Sequence, residues 1–485
     1  MKRISILFSF FLMISFQLIQ AQSDYALLKE KLNDKSLPLI NLTVNIDSVN
    51  SLNYIPAVLT LADVQKRTNS EKTEVTYACR VKYRGSSSLA YDKKSFALKI
   101  VDDEGYELNV PLMGIRPDDS WVLSAMAVDR IRMRDRVNFD AWNAMSAVPY
   151  ETSYQQRNGT VGYFVEVFIN GSYHGLYCLS DKINRKLLGL EKSAVDNDGE
   201  VDVKGLIYKC ISGGVGSMLE DYEEQDMTQP AWNCWELKYP DKSPCEATFS
   251  PLKELIDFCA SITDAQFEDG FNRHFYMGNI VDYAVFYLAQ GLRDNQLKNV
   301  YLSFRNVMQT SCALITPWDL DTSLGGDWEG SHNELVADSW MLENVNPFRR
   351  LWTGNMFDFR ARVAQRWREL SAGPLSVSVF NARVDSCARL LTESGAWERE
   401  YNKWNGNPVC LTRNLEEETA YVKNWYQRNS DNLRQRIFSD FSTSGIEHRP
   451  ESQEKSEISY DLQGRSVGNS YRGIIIQKKK KIWRK

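Results

Sequence analysis

Leu292-Arg293-Asp294-Asn295-Gln296-Leu297-Lys298-Asn299 is followed directly by two short apolar runs, VYLSFR (300–305) and CALIT (312–316), and then by Trp318-Asp319-Leu320-Asp321. The two runs are rich in strand-forming residues and flank a polar turn, so they read as a β-hairpin. Upstream, RHFYMGNIVDYAVFYLAQ (273–290) reads as a long apolar helix ending near Gly291. The order is helix, polar loop, hairpin, acidic turn. Carboxylate and amide oxygens are the hard donors that Mg²⁺ prefers. Asp319 and Asn299 would hold such an ion, with Asp321 as a second metal ligand or the partner of a nearby base. Asp294 would accept or orient the proton of an attacking hydroxyl.

That order is also the layout of a protein-kinase catalytic centre, where an H-R-D-x-x-x-x-N loop places its Asn five residues after its Asp and a second Asp follows a hairpin. Asp294 and Asn299 have this spacing, with Arg293 before the Asp. The W-D-x-D turn would equally suit a helix cap, an Asx-turn or a Ca²⁺-like site.

The front half carries a second constellation. VTYACRVKYRG (75–85) alternates apolar and polar residues, as a half-buried strand does, and SFALKIVD (95–102) does the same. Between them lie Arg84-Gly85-Ser86-Ser87-Ser88 and Lys93-Lys94. A turn of small residues lets backbone N–H groups approach a phosphate, and a lysine on the next strand can pair with it. Arg84, Ser86 and Ser87 are therefore candidate nucleotide contacts. Alternation places Lys94 with Phe96 and Leu98, facing inward, and makes it the first candidate; Lys99, on the opposite face, is the second. A solvated serine-rich turn is the competing reading. No G-x-x-x-x-G-K-[ST] occurs, which excludes a P-loop NTPase.

The 485 residues are 43% hydrophobic and 25% charged, as in an ordinary globular protein. The net charge of −5 makes a nucleic-acid partner unexpected, and four scattered His argue against a His-rich zinc site. Residues 1–21 have the basic start and apolar run of a secretory signal peptide, so the expected localisation is secreted, periplasmic or cell-surface, with no transmembrane segment after cleavage. Nine Cys without a C-x-x-C suggest mostly buried thiols, with Cys234 and Cys245 as the candidate local bridge. Residues 191–233 read as an inserted loop region, 442–456 as a linker, and 457–485 as a basic tail. That tail, YDLQGR (460–465) with GIIIQKKKK (473–481), resembles the C-terminal sorting tails of exported Bacteroidetes proteins. The signal segment carries +2 and the stretch from Pro450 onward +5, which leaves a body of −12. Such a body would steer basic protein substrates toward it.

Six segments together resemble the spore coat protein H (CotH) kinase-like family: YRGSSSLAYDKKSFALKI (83–100), WVLSAMAVDRIRMRDRVNFDAW (121–142), GYFVEVFINGSYHGLYCLSDKINR (162–185), WELKYPD (235–241), DNQLKNVYLSF (294–304) and ITPWDLDTSLGG (315–326). The resemblance implies an α+β, atypical protein-kinase-like fold over 22–441, with a mixed α/β N-terminal lobe (about 37–245) and a mainly helical C-terminal lobe (about 250–441). It also implies transfer of the ATP γ-phosphate, with Mg²⁺ or Mn²⁺, to Ser or Thr of a secreted or surface protein. Asp294, Asn299 and Asp319 fall in the family's D-N-x-x-K-N and W-D-x-D stretches. Arg84 and Lys94 fall in its phosphate-contacting stretch. Asp181 stands where a Glu is usual, which puts in question a charge partner for the lysine from that position; Glu166 is the other candidate partner. Two further readings remain open from sequence. One is a catalytically inactive surface or adhesion protein on the same fold. The other is a carbohydrate-binding module or glycosidase, with paired carboxylates and tryptophans such as Trp340, Trp352, Trp397 and Trp404 for sugar stacking.

Overall fold

The computed structural model describes residues 23–151, 155–195, 201–241 and 244–439, and four short strands of the tail. The signal segment and the linker lie outside the described residues. The chain divides into two compact units, the first ending at Asp440 and the second running from Phe441 to Lys485. In the second unit, Ser459–Tyr460, Ser466–Val467, Gly473–Gln477 and Lys480–Arg484 form a four-stranded sheet.

The first unit is α+β. A helix, α1 (Asp24–Lys29), precedes seven strands: β1 (Leu39–Thr43), β2 (Ile55–Ala62), β3 (Glu74–Arg84), β4 (Ser95–Ile100), β5 (Ser120–Ser124), β6 (Gly162–Ile169) and β7 (Ser172–Asp181). They close into a barrel in the order β1-β2-β3-β4-β5-β7-β6. The strands expected in a mixed α/β lobe thus form a closed seven-stranded barrel. Closure comes from β1 pairing parallel with β6, Leu39 opposite Glu166, across a separation that local patterning does not reveal. Alternation fills the interior: Val81, Phe96, Leu98, Ile100, Trp121, Leu123 and Val165 are all buried in one core. Asn170 and Gly171 both have positive φ, 50° and 83°, and so form the tight turn between β6 and β7. Asn170 also bonds through its amide to both backbone groups of Val44.

Helix α2 (Arg134–Met145) lies between β5 and β6, and α3 (Arg185–Leu188) follows β7. After a small pair, β8 (Ala194–Val195) and β9 (Val201–Asp202), come β10 (Leu206–Cys210), β11 (Ala231–Trp232) and β12 (Trp235–Tyr239). Helices α4 (Glu246–Ala260), α5 (Asp264–His274) and α6 (Met277–Gln290) lead to β13 (Val300–Phe304) and β14 (Ala313–Pro317). These strands form a second sheet, β11-β12-β10-β13-β14. The stretch expected to be an inserted loop thus supplies the sheet's central strand, β10. The sheet draws strands from both sides of the expected lobe boundary. The remainder is helical: α7 (Trp340–Asn344), α8 (Phe348–Thr353), α9 (Phe359–Ser371), α10 (Val377–Glu393), α11 (Ala396–Trp404) and α12 (Leu415–Asn432).

Trp352, Trp397 and Trp404 are buried among these helices, so three of the four tryptophans considered for sugar stacking are core. All nine cysteines are free thiols, Cys234 and Cys245 included. Among the described residues no helix is long and apolar enough to cross a membrane.

Candidate active site

The β13–β14 hairpin positions the site. Asn299 stands just before β13 and Asp319 just after β14, and the Trp318 N–H closes the base of the hairpin onto the Asn299 carbonyl at 3.0 Å. The Asn299 N–H in turn donates to the Cys210 carbonyl on β10 at 3.1 Å. Both residues have left-handed backbone, φ 57° and 60°. Asn and Asp tolerate this region better than other non-glycine residues, and such conformations collect at functional sites. The Asn299 amide donates to Asp294 Oδ2 at 2.8 Å, and Lys298 Nζ lies 3.1 Å from Asp294 Oδ1. Asp294, Asn299 and Asp319, chosen from sequence, are thus brought together. The side chain of Asp319 is exposed, while Asp321 is half-buried behind it.

Helix α2 supports the acidic turn from beneath. Asp135 accepts the Leu320 N–H at 2.8 Å. Asn138, one helical turn on, donates to the Leu320 carbonyl at 3.1 Å and to Ser323 Oγ at 2.8 Å. Asp129 accepts the N–H groups of Met133 and Arg134 and so fixes the start of the helix. Burial first, and then the neighbouring charge of Asp319, push the Asp135 carboxyl up to about 7; the Leu320 N–H and Arg84 act in the opposite direction. Asp321 is pushed well above the usual carboxylate range by burial and then by Asp319, Asp135, Asp129 and Asp294. Sequence reading missed Asp135 and Asn138. Their signal was two polar residues at i and i+3 on a helix otherwise expected to be apolar on its inner side.

Arg84 and Lys209 lie near these carboxylates. The Arg84 guanidinium lies 5.1 Å from the centre of the Trp318 ring, immediately before Asp319. Lys209 on β10 is opposite Tyr301 of β13. Burial lowers its pKa, the Asp319 carboxylate raises it, and Arg84 lowers it further. Lys182, at the end of β7, is lowered first by burial, with Asp241 raising it and Lys238, Lys99 and Arg84 lowering it. Lys209 and Lys182 were not singled out in the sequence.

The lysine assigned from alternation is corrected. Lys94 donates to the Tyr91 carbonyl within its own segment at 2.6 Å. Because β4 begins at Ser95, the alternation of Phe96, Leu98 and Ile100 does not extend back to it. The inward lysine is Lys93, fully buried 2.5 Å from Glu400. Glu400 also accepts from Arg132 at 2.8 Å and from the Leu176 N–H at 2.8 Å. Lys99 lies on the outer face, as expected, and pairs with Glu107. Neither proposed carboxylate serves as a lysine partner: Asp181 is engaged by Arg116 and Arg157, and Glu166 by Arg399. Ser86 and Ser87 are exposed at the turn after β3.

Among the described residues no three His, Cys, Asp or Glu side chains converge to hold a metal ion by themselves. Mg²⁺ needs no such cage. It is commonly held by one or two carboxylates with substrate phosphates and water completing its shell. An exposed Asp319, an adjacent Asn299 and carboxyls driven upward by burial and then by neighbouring negative charge fit a site completed by a cation and phosphate.

The family model described as CotH kinase protein matches residues 81–433. The chain belongs to the CotH kinase protein family. No curated protein gives a significant match. The CotH match runs from within β3 to the end of α12 and contains Arg84, Asp135, Lys209, Asp294, Asn299 and Asp319, so the whole candidate site falls inside it.

Proposed function

We propose that this CotH-family chain is an exported, kinase-like phosphotransferase that moves the γ-phosphate of ATP to a Ser or Thr hydroxyl of a secreted or surface protein. The observation that carries this reading is the hairpin whose two ends present Asn299 and Asp319, with Asp294 bonded to Asn299 and with Arg84 and Lys209 facing Asp319.

Asp319 and Asn299 would hold Mg²⁺ or Mn²⁺, with Asp321 the further ligand. Bound there, the ion would supply neutralising charge for the phosphates. Arg84 and Lys209 offset the remaining phosphate charge. Asp294 accepts the proton of the attacking hydroxyl; its carboxylate is aimed by the Asn299 amide and Lys298. The hydroxyl oxygen bonds to the γ-phosphorus, the bond to the β–γ bridging oxygen breaks, and ADP leaves. The −12 charge of the body favours acceptors that are basic around the phosphorylated residue.

The test is incubation of the purified mature chain with γ-labelled ATP, Mg²⁺ or Mn²⁺, and a basic Ser-containing peptide. Metal-dependent labelling that is lost in Asp319→Ala supports the assignment. Labelling that is undiminished in Asp319→Ala removes Asp319 from its role. No labelling and no nucleotide-induced melting shift with either metal would favour a non-catalytic protein on the same fold.

A further inference from the structure

One buried amide spans the two ends of the hairpin. Asn295 is 1% exposed. Its Nδ2 donates to the Asn299 carbonyl at 2.9 Å and to the Trp318 carbonyl at 2.7 Å. The first acceptor belongs to one of the two facing residues, Asn299; the second lies in the peptide bond that leads into the other, Asp319. Both residues stand in left-handed backbone, which has few alternatives to fall back on once its peptide planes are released. Asn295 is itself fixed, because the Tyr283 hydroxyl donates to its backbone carbonyl at 3.1 Å from helix α6. Its side-chain oxygen accepts no hydrogen bond among the described residues. The side chain is therefore used only through its two N–H bonds, and both go to the same place.

We infer that Asn295 is a positioning residue that sets the separation and orientation of Asn299 and Asp319, and so the fit of the divalent cation between them; this rests on the phosphotransferase reading above. No other residue type supplies the same bridge. Asp, of equal size, would face two carbonyls with oxygens. Ser is too short and carries one donor. Gln carries the two donors on a longer stem. Trp318 N–H still bonds the Asn299 carbonyl when the amide is removed, so the hairpin keeps its base pairing and loses the tie that fixes the ligands.

The experiment measures Mn²⁺·ATP binding by isothermal titration in the wild-type chain, Asn295→Ala and Asn295→Ser, together with the melting temperature of each chain without ligand. Groups that orient metal ligands from behind typically cost about 10–100-fold in affinity when removed. The expected result is a loss of that order in both variants, with chains that still melt cooperatively. Half-saturating Mn²⁺ in the transfer assay should rise by a similar factor. Variants that melt lower but bind Mn²⁺·ATP like wild type would make Asn295 a fold-stabilising residue only and overturn the inference. A wild-type chain that binds no Mn²⁺·ATP would instead overturn the phosphotransferase reading on which it rests. Should Asn295→Ala fail to fold, the smaller change to Ser carries the comparison.

Discussion

The amide of Asn299 donates to Oδ2 of Asp294 at 2.8 Å, so the two side chains are held as one unit, in which the proposed reaction would turn one to the cation and the other to the acceptor hydroxyl. Replacing Asn299 by Ala should remove an oxygen donor and free Asp294 together. Asp294→Asn should leave the metal side in place and remove only the proton acceptor. The first change should raise the metal requirement and lower kcat. The second should lower kcat by about 10²–10⁴-fold, the usual worth of a positioned general base, with the metal requirement unmoved. Steady-state kinetics at several metal concentrations separate the two outcomes.

Arg84 and Lys209, rather than Lys94, are expected to carry the phosphate charge. Lys209→Ala should raise KM for ATP about tenfold, the scale of one charge-assisted hydrogen bond. Lys94→Ala should change it little, because its ammonium is spent on the Tyr91 carbonyl. The reverse ranking would restore Lys94 to the phosphate site.

Glu400 lies between two buried cations, Lys93 and Arg132, and ties β7 to helix α11 through the Leu176 N–H. Burial alone would raise its carboxyl, but Lys93 and Arg132 hold it below the usual range. Glu400→Ala leaves both cations buried without a counter-charge. Breaking such a pair costs about 3–5 kcal/mol. Denaturant unfolding should show a loss of that size, and a loss within experimental error would mean the triad contributes nothing.

Glu418 provides a pH signature. Burial would raise its carboxyl, but Arg130, His332 and Thr412 outweigh burial and bring it down to about 2. The partners lie 2.7, 2.8 and 2.7 Å away. An unfolded glutamate titrates near about 4.3. Below that pH the unfolded chain binds the extra proton, so this stabilisation is complete above the unfolded value and is lost as pH falls toward 2. Glu418→Gln should therefore melt well below wild type at pH 7, and the gap should close in acid. A gap of constant size would show that the carboxylate charge is not the cause.

The sequence carried the part of this site that is local. The helix ending at Gly291, the hairpin and the acidic turn are close along the chain, and their apolar periods and turn residues mark them without tertiary help. Asn170-Gly171 marked the β6–β7 turn for the same reason. The barrel was hidden because its closing pair, β1 with β6, is parallel and distant. Strand β10 was hidden by the Gly, Asp and Glu around it, although Leu206 to Tyr208 are buried. Asp135 is turned inward by the packing of α2 under Leu320, which no local pattern shows. Lys94 was placed inward, where Lys93 in fact lies, because alternation applies inside a strand and both stand before one.

Asp319 and Asn299 are expected to hold a cation during transfer of the γ-phosphate. The most direct measurement compares label transfer from γ-labelled and α-labelled ATP, in Mn²⁺, by the wild-type chain and by Asp319→Asn. Label should pass to protein from the γ position only and fall at least about 10²-fold in the variant, as removal of a transition-state charge partner requires. Equal transfer by Asp319→Asn, or transfer of the α label, would contradict the account.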